Sequence, residues 1–161
     1  MNRFVGLCLL LASSATLAAS KGQSSPASPP CDRECLRGTI TQVLYSLVEH
    51  DTTKLPVAPT LRVTEDAVEK PLDKVALVRS VTKLRGFRQD IIDERAGVAV
   101  AGVMVEESGA PIMLVVRTKV VGEQITELEL VTTRSRADGM IFTIDTYSGA
   151  PSKPMNFSVT S

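Results

Sequence analysis

The second half of the chain is a series of β-branched segments separated by turn residues. Three of these segments are FRQDIIDER, VAVAGVMVEE and IMLVVRTKVV, and a fourth, QITELELVTT, follows them. Gly97, Gly109 and Gly122 stand between successive segments. Because β-branched residues favour extended backbone and short glycine-containing connections join neighbouring strands, the pattern predicts a meandering antiparallel sheet.

An amphipathic helix is expected ahead of these strands. Pro29 and Pro30 prevent a helix from starting earlier, and the Asp32 side chain can accept backbone N–H bonds as an N-cap. Apolar residues then recur at three- and four-residue spacing, which places them on one face of a helix. They are Leu36, Ile40, Val43, Leu44, Leu47 and Val48.

Two shorter elements are expected between this helix and the meandering sheet. LRVTED, starting at Leu61, alternates apolar and polar residues as a half-buried strand does. Asp73 is a candidate cap for a short helix from Lys74 to about Val81. Amino-terminal helices packed on a later antiparallel sheet make an α+β domain, which is the predicted fold class.

The two ends of the chain have the character of segments outside the folded domain. Residues 1–19 combine a basic start, a short apolar run and small residues, the layout of a secretory signal peptide. Residues 20–30 are rich in Ser and Pro and predict a disordered leader. The domain is expected at 31–133, and 134–161 is expected to be a tail that adds at most the strand MIFTIDTY before disorder.

The predicted signal peptide and the composition narrow the range of partners. The protein is expected to be secreted, to the extracellular space or the periplasm. Its apolar run is too short to span a bilayer of about 30 Å, and no membrane contact is expected after processing. With 18 basic and 18 acidic residues, the chain has no charge excess for nucleic acid or an anionic membrane. Aromatic residues make up 4% and tryptophan is absent, which argues against platforms that stack on bases or sugars.

Cys31 and Cys35 are the cysteines outside the predicted signal peptide. An even cysteine count in an exported chain favours a disulfide between them. Regular helical spacing holds i,i+4 Cβ atoms about 5 to 6 Å apart, wider than a disulfide allows, so Cys31 must precede the regular turn. Two thiols and one histidine fall short of the four ligands of a zinc site, and no metal is expected.

Several short motifs follow one another in order along the domain. They are CDRECL from Cys31, Asp51 after the first helix, LPVAP from Leu55, TEDA from Thr64, RTKV from Arg117 and ITELE from Ile125. In this order they resemble a secreted, largely uncharacterised group in the SnoaL-like branch of the nuclear transport factor 2-like (NTF2-like) superfamily. The resemblance covers about Cys31 to Thr133. Asp66 and Ala67 stand where that group has Asn-Gly, at the expected mouth of a pocket.

The resemblance implies a curved sheet that wraps with its helices into a cone-shaped α+β barrel. Characterised members include isomerases, polyketide cyclases and dehydratases, and others bind partners without catalysis. Fold alone does not decide between these activities. The implied function is a cofactor-free acid/base isomerase, dehydratase or cyclase, with a noncatalytic ligand-binding or dimerisation module as the alternative. Whether the chain is an enzyme stays open at this point.

Glu65 and Tyr45 are the candidate catalytic residues. Glu65 shares a strand face with Leu61 and Val63, which favours an inward carboxylate. Aliphatic surroundings would raise its pKa and suit it to acid/base work, whereas a strand-end glutamate at the surface is the other interpretation. Tyr45 lies one position off the apolar stripe, which fits a phenol at a pocket wall and a half-exposed structural tyrosine equally.

The last predicted strand carries two further acids. Alternation puts four residues on one face: Ile125, Glu127, Glu129 and Val131. Paired carboxylates can divide into an acid and a base when burial raises one pKa. An amphipathic strand with leucines on its other face would instead leave both glutamates in water. Arg117 of the preceding strand could then form a cross-strand ion pair with one of them.

An aliphatic pocket is expected between the first helix and the sheet, because few aromatic residues are present to fill a cone. Its nearest residues should be Leu36, Ile40, Val43, Val63 and Leu114, with Arg117, Glu127 and Glu129 as further binding candidates. The expected ligand is a small apolar or carbonyl-bearing molecule. A homodimer through the convex sheet face belongs to the noncatalytic alternative, which the lack of a His, Cys or Ser constellation fit for catalysis favours.

Overall fold

The helix expected after the proline pair is α1 (Arg33–Glu49) in the computed structural model, which describes residues 31–138. Its N-cap is Asp32, whose carboxylate accepts a hydrogen bond from the Cys35 backbone N–H at 2.9 Å. His50 ends the helix in the left-handed backbone conformation, with a φ of 57°. In the part of the chain that the structure describes, no helix is long and apolar enough to cross a membrane.

The segment before α1 is joined to the helix by its cysteines. Cys31 and Cys35 form a disulfide with their Cα atoms 5.3 Å apart. Cys31 lies before the first helical residue, which is where the spacing requires it, and its side chain packs into the core. The predicted signal peptide, the Ser/Pro leader and the MIFTIDTY strand lie outside the described residues.

Within residues 31–138, six strands follow α1. They are β1 (Val57–Glu65), β2 (Val68–Glu69), β3 (Val81–Asp93), β4 (Val98–Glu107), β5 (Ala110–Val121) and β6 (Gln124–Thr133). They form one curved, open sheet in the order β2-β1-β6-β5-β4-β3. The predicted α+β class, with an amino-terminal helix packed on a curved sheet, is confirmed.

The sheet is mixed rather than wholly antiparallel as predicted. β1 runs parallel to β6, with Val63 opposite Leu128 and Glu65 opposite Leu130. The remaining neighbours pair antiparallel. Turn residues between successive segments predict pairing only of strands that are adjacent in sequence. β1 instead pairs with β6, the last strand of the sheet in sequence. This long-range pairing places β1 between the short edge strand β2 and β6.

The inner face of the sheet is the one that α1 covers. Aliphatic residues of α1 and alternate residues of the central strands fill the space between them as one hydrophobic core. Fully buried members include Leu36, Leu44, Leu114, Ile125 and Leu130. Each buried leucine or isoleucine contributes about 1.5 to 3 kcal/mol of transfer free energy, so this core is the main source of stability.

The connection between β2 and β3 differs from the prediction. The single short helix expected here is divided into a 3₁₀ turn (Leu72–Lys74) and α2 (Leu77–Ser80). Val75 between them has extended backbone, with a ψ of 122°. The Glu65 carboxylate accepts hydrogen bonds from the first N–H groups of the second segment, and the helix restarts where those groups are satisfied.

Gly97, between β3 and β4, occupies a position that requires glycine. Its φ of 65° lies in the left-handed region, and a Cβ there would lie 2.5 Å from the Val120 carbonyl oxygen. The Val120 N–H also donates a hydrogen bond to the Gly97 carbonyl at 2.8 Å. The connection is therefore held in close backbone contact with β5, which leaves no room for a side chain.

Candidate functional site

Strand β1 carries Glu65 to the inner face of the sheet, where the residue is 4% exposed. Lys70 Nζ donates to its Oε2 at 2.6 Å, and the Ala76 N–H donates to the same oxygen at 3.1 Å. The Leu77 N–H donates to Oε1 at 2.8 Å. Glu65 thus points inward, and both of its oxygens accept hydrogen bonds from the chain itself.

The predicted rise in the pKa of Glu65 is wrong. Burial raises the pKa of this carboxyl, but the hydrogen bonds from Lys70, Leu77 and Ala76, together with the Lys70 charge, outweigh burial and leave the pKa below its ordinary value. The carboxylate is therefore ionised at neutral pH. A general acid or base needs a proton or a lone pair directed at the ligand. Glu65 instead fastens β1 to α2.

The residues expected to line an internal pocket lie in the hydrophobic core. Leu36, Ile40, Val43, Val63 and Leu114 are each at most 2% exposed and pack in one cluster. None of them lines the cleft that the structure describes in residues 31–138. These aliphatic side chains pack against one another in the core of the described residues.

Arg117, Glu127 and Glu129 come together on the outer face of the sheet, the face turned away from α1. Arg117 Nη1 donates to Glu127 Oε2 at 2.7 Å and to Glu129 Oε1 at 3.3 Å, and Lys119 Nζ lies 3.5 Å from Glu127 Oε1. The Arg117 hydrogen bond is the main cause that lowers the pKa of Glu127. The glutamate side chains are 30% and 37% exposed, so the group is a solvated ion cluster and not an acid/base pair.

Ile125 does not share that face, contrary to the alternation expected along β6. The pairing of β5 with β6 shifts register between Lys119 and Val120. Glu127 is opposite Lys119 on the outer face, whereas Ile125 is opposite Val120 and fully buried on the inner face. Such a bulge moves the side-chain alternation by one residue, and periodicity alone does not reveal it.

A cleft lies along the solvent side of α1, opposite the helix face that packs on the sheet. Its volume of about 350 Å³ falls in the range of small-molecule sites. One wall is α1, and the other is the segment that folds back after the helix ends. The lining residues are Thr41, Gln42, Tyr45, Ser46, Glu49, Asp51, Lys54 and Leu55.

Asp51 shapes the second wall of this cleft. Its Oδ1 accepts hydrogen bonds from the Thr53 N–H at 2.9 Å and the Thr53 hydroxyl at 2.6 Å, and these bonds lower the pKa of the Asp51 carboxyl. The Asp51 N–H donates to the Ser46 carbonyl at 3.1 Å. Leu55 then turns inward and is 7% exposed. The segment is therefore held against the helix from both ends.

Three polar side chains of the cleft are available to hydrogen-bond a ligand. Among the described residues, no hydrogen bond or ion pair involves the Tyr45 hydroxyl, the Glu49 carboxylate or the Lys54 ammonium. Tyr45 is 53% exposed. It lies on the opposite side of α1 from the inner face that holds Glu65, so the fold does not bring the two predicted catalytic residues together.

Arg88 and Asp90 form an ion pair at the edge of the inner face that the sequence analysis did not single out. Arg88 Nε and Nη2 donate to the two Asp90 oxygens at 2.8 and 2.9 Å, and Nη2 also donates to Thr41 Oγ1 at 2.8 Å. Side chains two residues apart on a strand share a face, and that spacing is the signal that could have identified the pair. It joins β3 to α1 beside the cleft.

A second unpredicted network lies where β4 and β6 end. Arg134 donates to Glu107 from Nε at 2.6 Å and from Nη2 at 2.9 Å, and to Asp66 from Nη1 at 3.2 Å. Hydrogen bonds from Arg134 are the main cause that lowers the pKa of Glu107. Asp66, expected at a pocket mouth, is thus a structural acid that connects the β1–β2 turn to the end of β4.

Comparison with known proteins gives likeness of structure only. No protein-family model matches the chain, and no curated protein matches its sequence. A de novo designed protein with a curved β-sheet matches with a TM-score of 0.52 and 13% identity, over 72% of this chain and 96% of that chain. AusH from Aspergillus nidulans matches with a TM-score of 0.50 and 16% identity, over 66% and 88%. The de novo designed NTF2-fold protein NT-9 matches with a TM-score of 0.42 and 12% identity, over 74% and 98%.

Proposed function

We propose that this chain, which has the α+β fold of the SnoaL-like, NTF2-like superfamily, is a noncatalytic small-molecule-binding module. The proposed ligand site is the cleft on the solvent side of α1. The main support is a difference in hydrogen bonding. The polar side chains of Tyr45, Glu49 and Lys54 make no hydrogen bond or ion pair with the described residues, whereas the inward carboxylate of Glu65 accepts hydrogen bonds from Lys70 and Leu77. A concave surface with a few free polar groups is what orients a small ligand.

The acid/base enzyme implied by the family resemblance has weaker support. Its leading residue, Glu65, is ionised and held by Lys70 and two backbone N–H groups. Its second residue, Tyr45, faces solvent on the other side of the helix. A proton-transfer site requires such groups to converge on one bound molecule, so binding without catalysis is the function that this geometry supports.

Blocking the cleft tests the binding function. Charged and neutral fragments screened by saturation-transfer NMR should bind the parent protein and lose binding to Gln42→Trp, because an indole at this exposed helix position fills the space beside Tyr45. Glu34→Trp is the matched control, since Glu34 is 72% exposed on the same helix and outside the cleft. Equal binding by Gln42→Trp and the parent would mean that the ligand binds elsewhere, against the proposal.

Homodimerisation through the outer sheet face is a second candidate function. Ile91 and Val131 are 65% and 50% exposed on that face, beside the ion cluster around Arg117. Two copies related by a twofold axis would bury these side chains together. Sedimentation equilibrium should then give twice the chain mass for the parent and the monomer mass for Ile91→Lys. A monomeric parent at high concentration would rule this candidate out.

Export to the extracellular space or the periplasm is part of the proposal. It is supported by the signal-peptide layout of residues 1–19 and by the disulfide between Cys31 and Cys35, because disulfides persist in oxidising compartments. Mass spectrometry of protein recovered outside the cytoplasm should find an amino terminus near Ala18 or Ala19. A secreted protein that begins at Met1 would contradict the proposed cleavage.

A further inference from the structure

The charges around the α1 cleft are unbalanced. Glu49, Asp51 and Lys54 all line it. The Asp51 carboxylate accepts two hydrogen bonds from Thr53, and these bonds, with a smaller contribution from the Lys54 charge, lower the pKa of Asp51. Glu49 is exposed on the last turn of α1, and its carboxylate makes no hydrogen bond or ion pair with the described residues.

An apolar and aromatic surface lies next to this free carboxylate. Tyr45 and Glu49 are four residues apart on α1, which makes their side chains neighbours on one helix face. The Tyr45 ring is half exposed, and Leu55 closes the cleft from the opposite wall. An aromatic face attracts a cation within about 6 Å, and a carboxylate beside it reinforces that attraction.

The hydroxyl groups of the cleft do not favour an anion. Ser46 donates its hydrogen bond to the Val43 carbonyl at 2.7 Å, and Thr41 donates to the Arg37 carbonyl at 2.7 Å. Neither hydroxyl therefore has a proton left to donate to a ligand, and the Thr41 oxygen already accepts a hydrogen bond from Arg88 at 2.8 Å. These two hydroxyls therefore offer an anionic ligand no donor, whereas a cationic donor finds the Glu49 carboxylate, which no described residue pairs with.

We infer that the cleft binds a small organic cation, a primary amine attached to an apolar body. The ammonium group lies between the Glu49 carboxylate and the Tyr45 ring, and the body packs on Leu55. This inference rests on the proposed binding function and names its ligand class. It replaces the small apolar or carbonyl-bearing ligand expected from the sequence, because the aliphatic residues that would have bound that ligand are packed in the core.

Three probes of similar size separate charge from shape: 2-phenylethylamine, 2-phenylethanol and phenylacetate. Dissociation constants come from backbone amide shifts of Tyr45, Glu49 and Leu55 in NMR titrations. The amine should bind about tenfold tighter than the alcohol, as a partly solvated charge-assisted hydrogen bond allows, and phenylacetate should bind weakest. Glu49→Gln should reduce the amine affinity to about that of the alcohol. Glu123→Gln, an exposed acid in the β5–β6 turn, is the matched control and should change neither affinity.

The possible results separate two hypotheses: that the cleft prefers a cation, and that the cleft binds small molecules at all. Equal affinity for amine and alcohol, tightest binding of phenylacetate, or an amine affinity that Glu49→Gln leaves unchanged would overturn the cation assignment. If the alcohol still shifts the Tyr45 and Leu55 signals, the cleft remains a binding site of different selectivity. If none of the probes shifts these signals, both the cation assignment and the binding function are overturned.

Discussion

The Glu65→Gln variant should lose about 2 to 3 kcal/mol of unfolding free energy. Glutamine keeps the volume and one acceptor oxygen, so one of the two backbone hydrogen bonds, from Ala76 or Leu77, survives. The other N–H then faces the amide NH₂ group at a nearly buried site, which costs about 1 to 3 kcal/mol. Lys70 also loses its ionic partner. Because the Lys70 side chain is 25% exposed and regains water, that second loss stays near 1 kcal/mol or less.

Urea unfolding followed by far-ultraviolet circular dichroism measures this loss, since the chain has no tryptophan for fluorescence. Glu127→Gln is the control, because Glu127 takes part in a solvated cluster and its replacement should change stability by less than about 1 kcal/mol. Glu65→Gln should therefore unfold at clearly lower urea than Glu127→Gln. If both variants unfold at the same urea concentration as the parent, the Glu65 carboxylate does not stabilise the contact between β1 and α2.

The same hydrogen bonds make stability depend on pH. The folded-state pKa of Glu65 lies below its ordinary value of 4.5, so this group stabilises the fold above about pH 4.5 and the stabilisation is lost as the pH falls through the folded pKa. Between neutral pH and acid, the parent should lose more stability than Glu65→Gln, and the two should converge in acid. Parallel stability curves would show that Glu65 does not titrate against its native partners.

Two further predictions concern the scaffold. Gly97→Ala should destabilise the fold by about 2 to 5 kcal/mol, because alanine both takes a positive φ and places its methyl group against the Val120 carbonyl oxygen. Gly122→Ala, with positive φ but open space around it, should cost about 1 to 2 kcal/mol in the same urea assay. An equal cost for both variants would remove the steric argument. Intact mass before and after reduction and alkylation should show that Cys31 and Cys35 are protected in the native protein. Reduction should cost roughly 2 kcal/mol of stability, and two free thiols would contradict the disulfide.

The elements with local signals were predictable from the sequence. VAVAGVMVEE and QITELELVTT coincide with β4 (Val98–Glu107) and β6 (Gln124–Thr133), because β-branched residues and turn glycines act over a few neighbours. The apolar residues that recur at three- and four-residue spacing in α1 are likewise buried, as the spacing predicts. They are Leu36, Ile40, Val43, Leu44 and Leu47. The Asp32 cap follows from the residue type and its position before the first apolar residue.

The site depended on contacts that no local pattern encodes. Glu65 meets Lys70 because β2 folds back on β1, and it meets Leu77 because α2 begins at that point. Alternation along β1 could therefore predict the inward direction of Glu65 but not its partners. The bulge that turns Ile125 inward arises from pairing between two strands. The cleft exists because the chain folds back along α1 after Asp51, and this packing of a loop on a helix leaves no periodic signal in the sequence.

On the proposed function, ligands bind in the cleft on the solvent side of α1 and not between α1 and the sheet. Methyl-labelled NMR of the protein with 2-phenylethylamine tests it directly, since Leu55 lines the cleft while Ile40, Val63 and Leu114 lie in the core. The Leu55 methyl signals should shift with added amine, and the methyl signals of the three core residues should not. Shifts centred on Ile40, Val63 and Leu114 would contradict it and return the binding site to the interior.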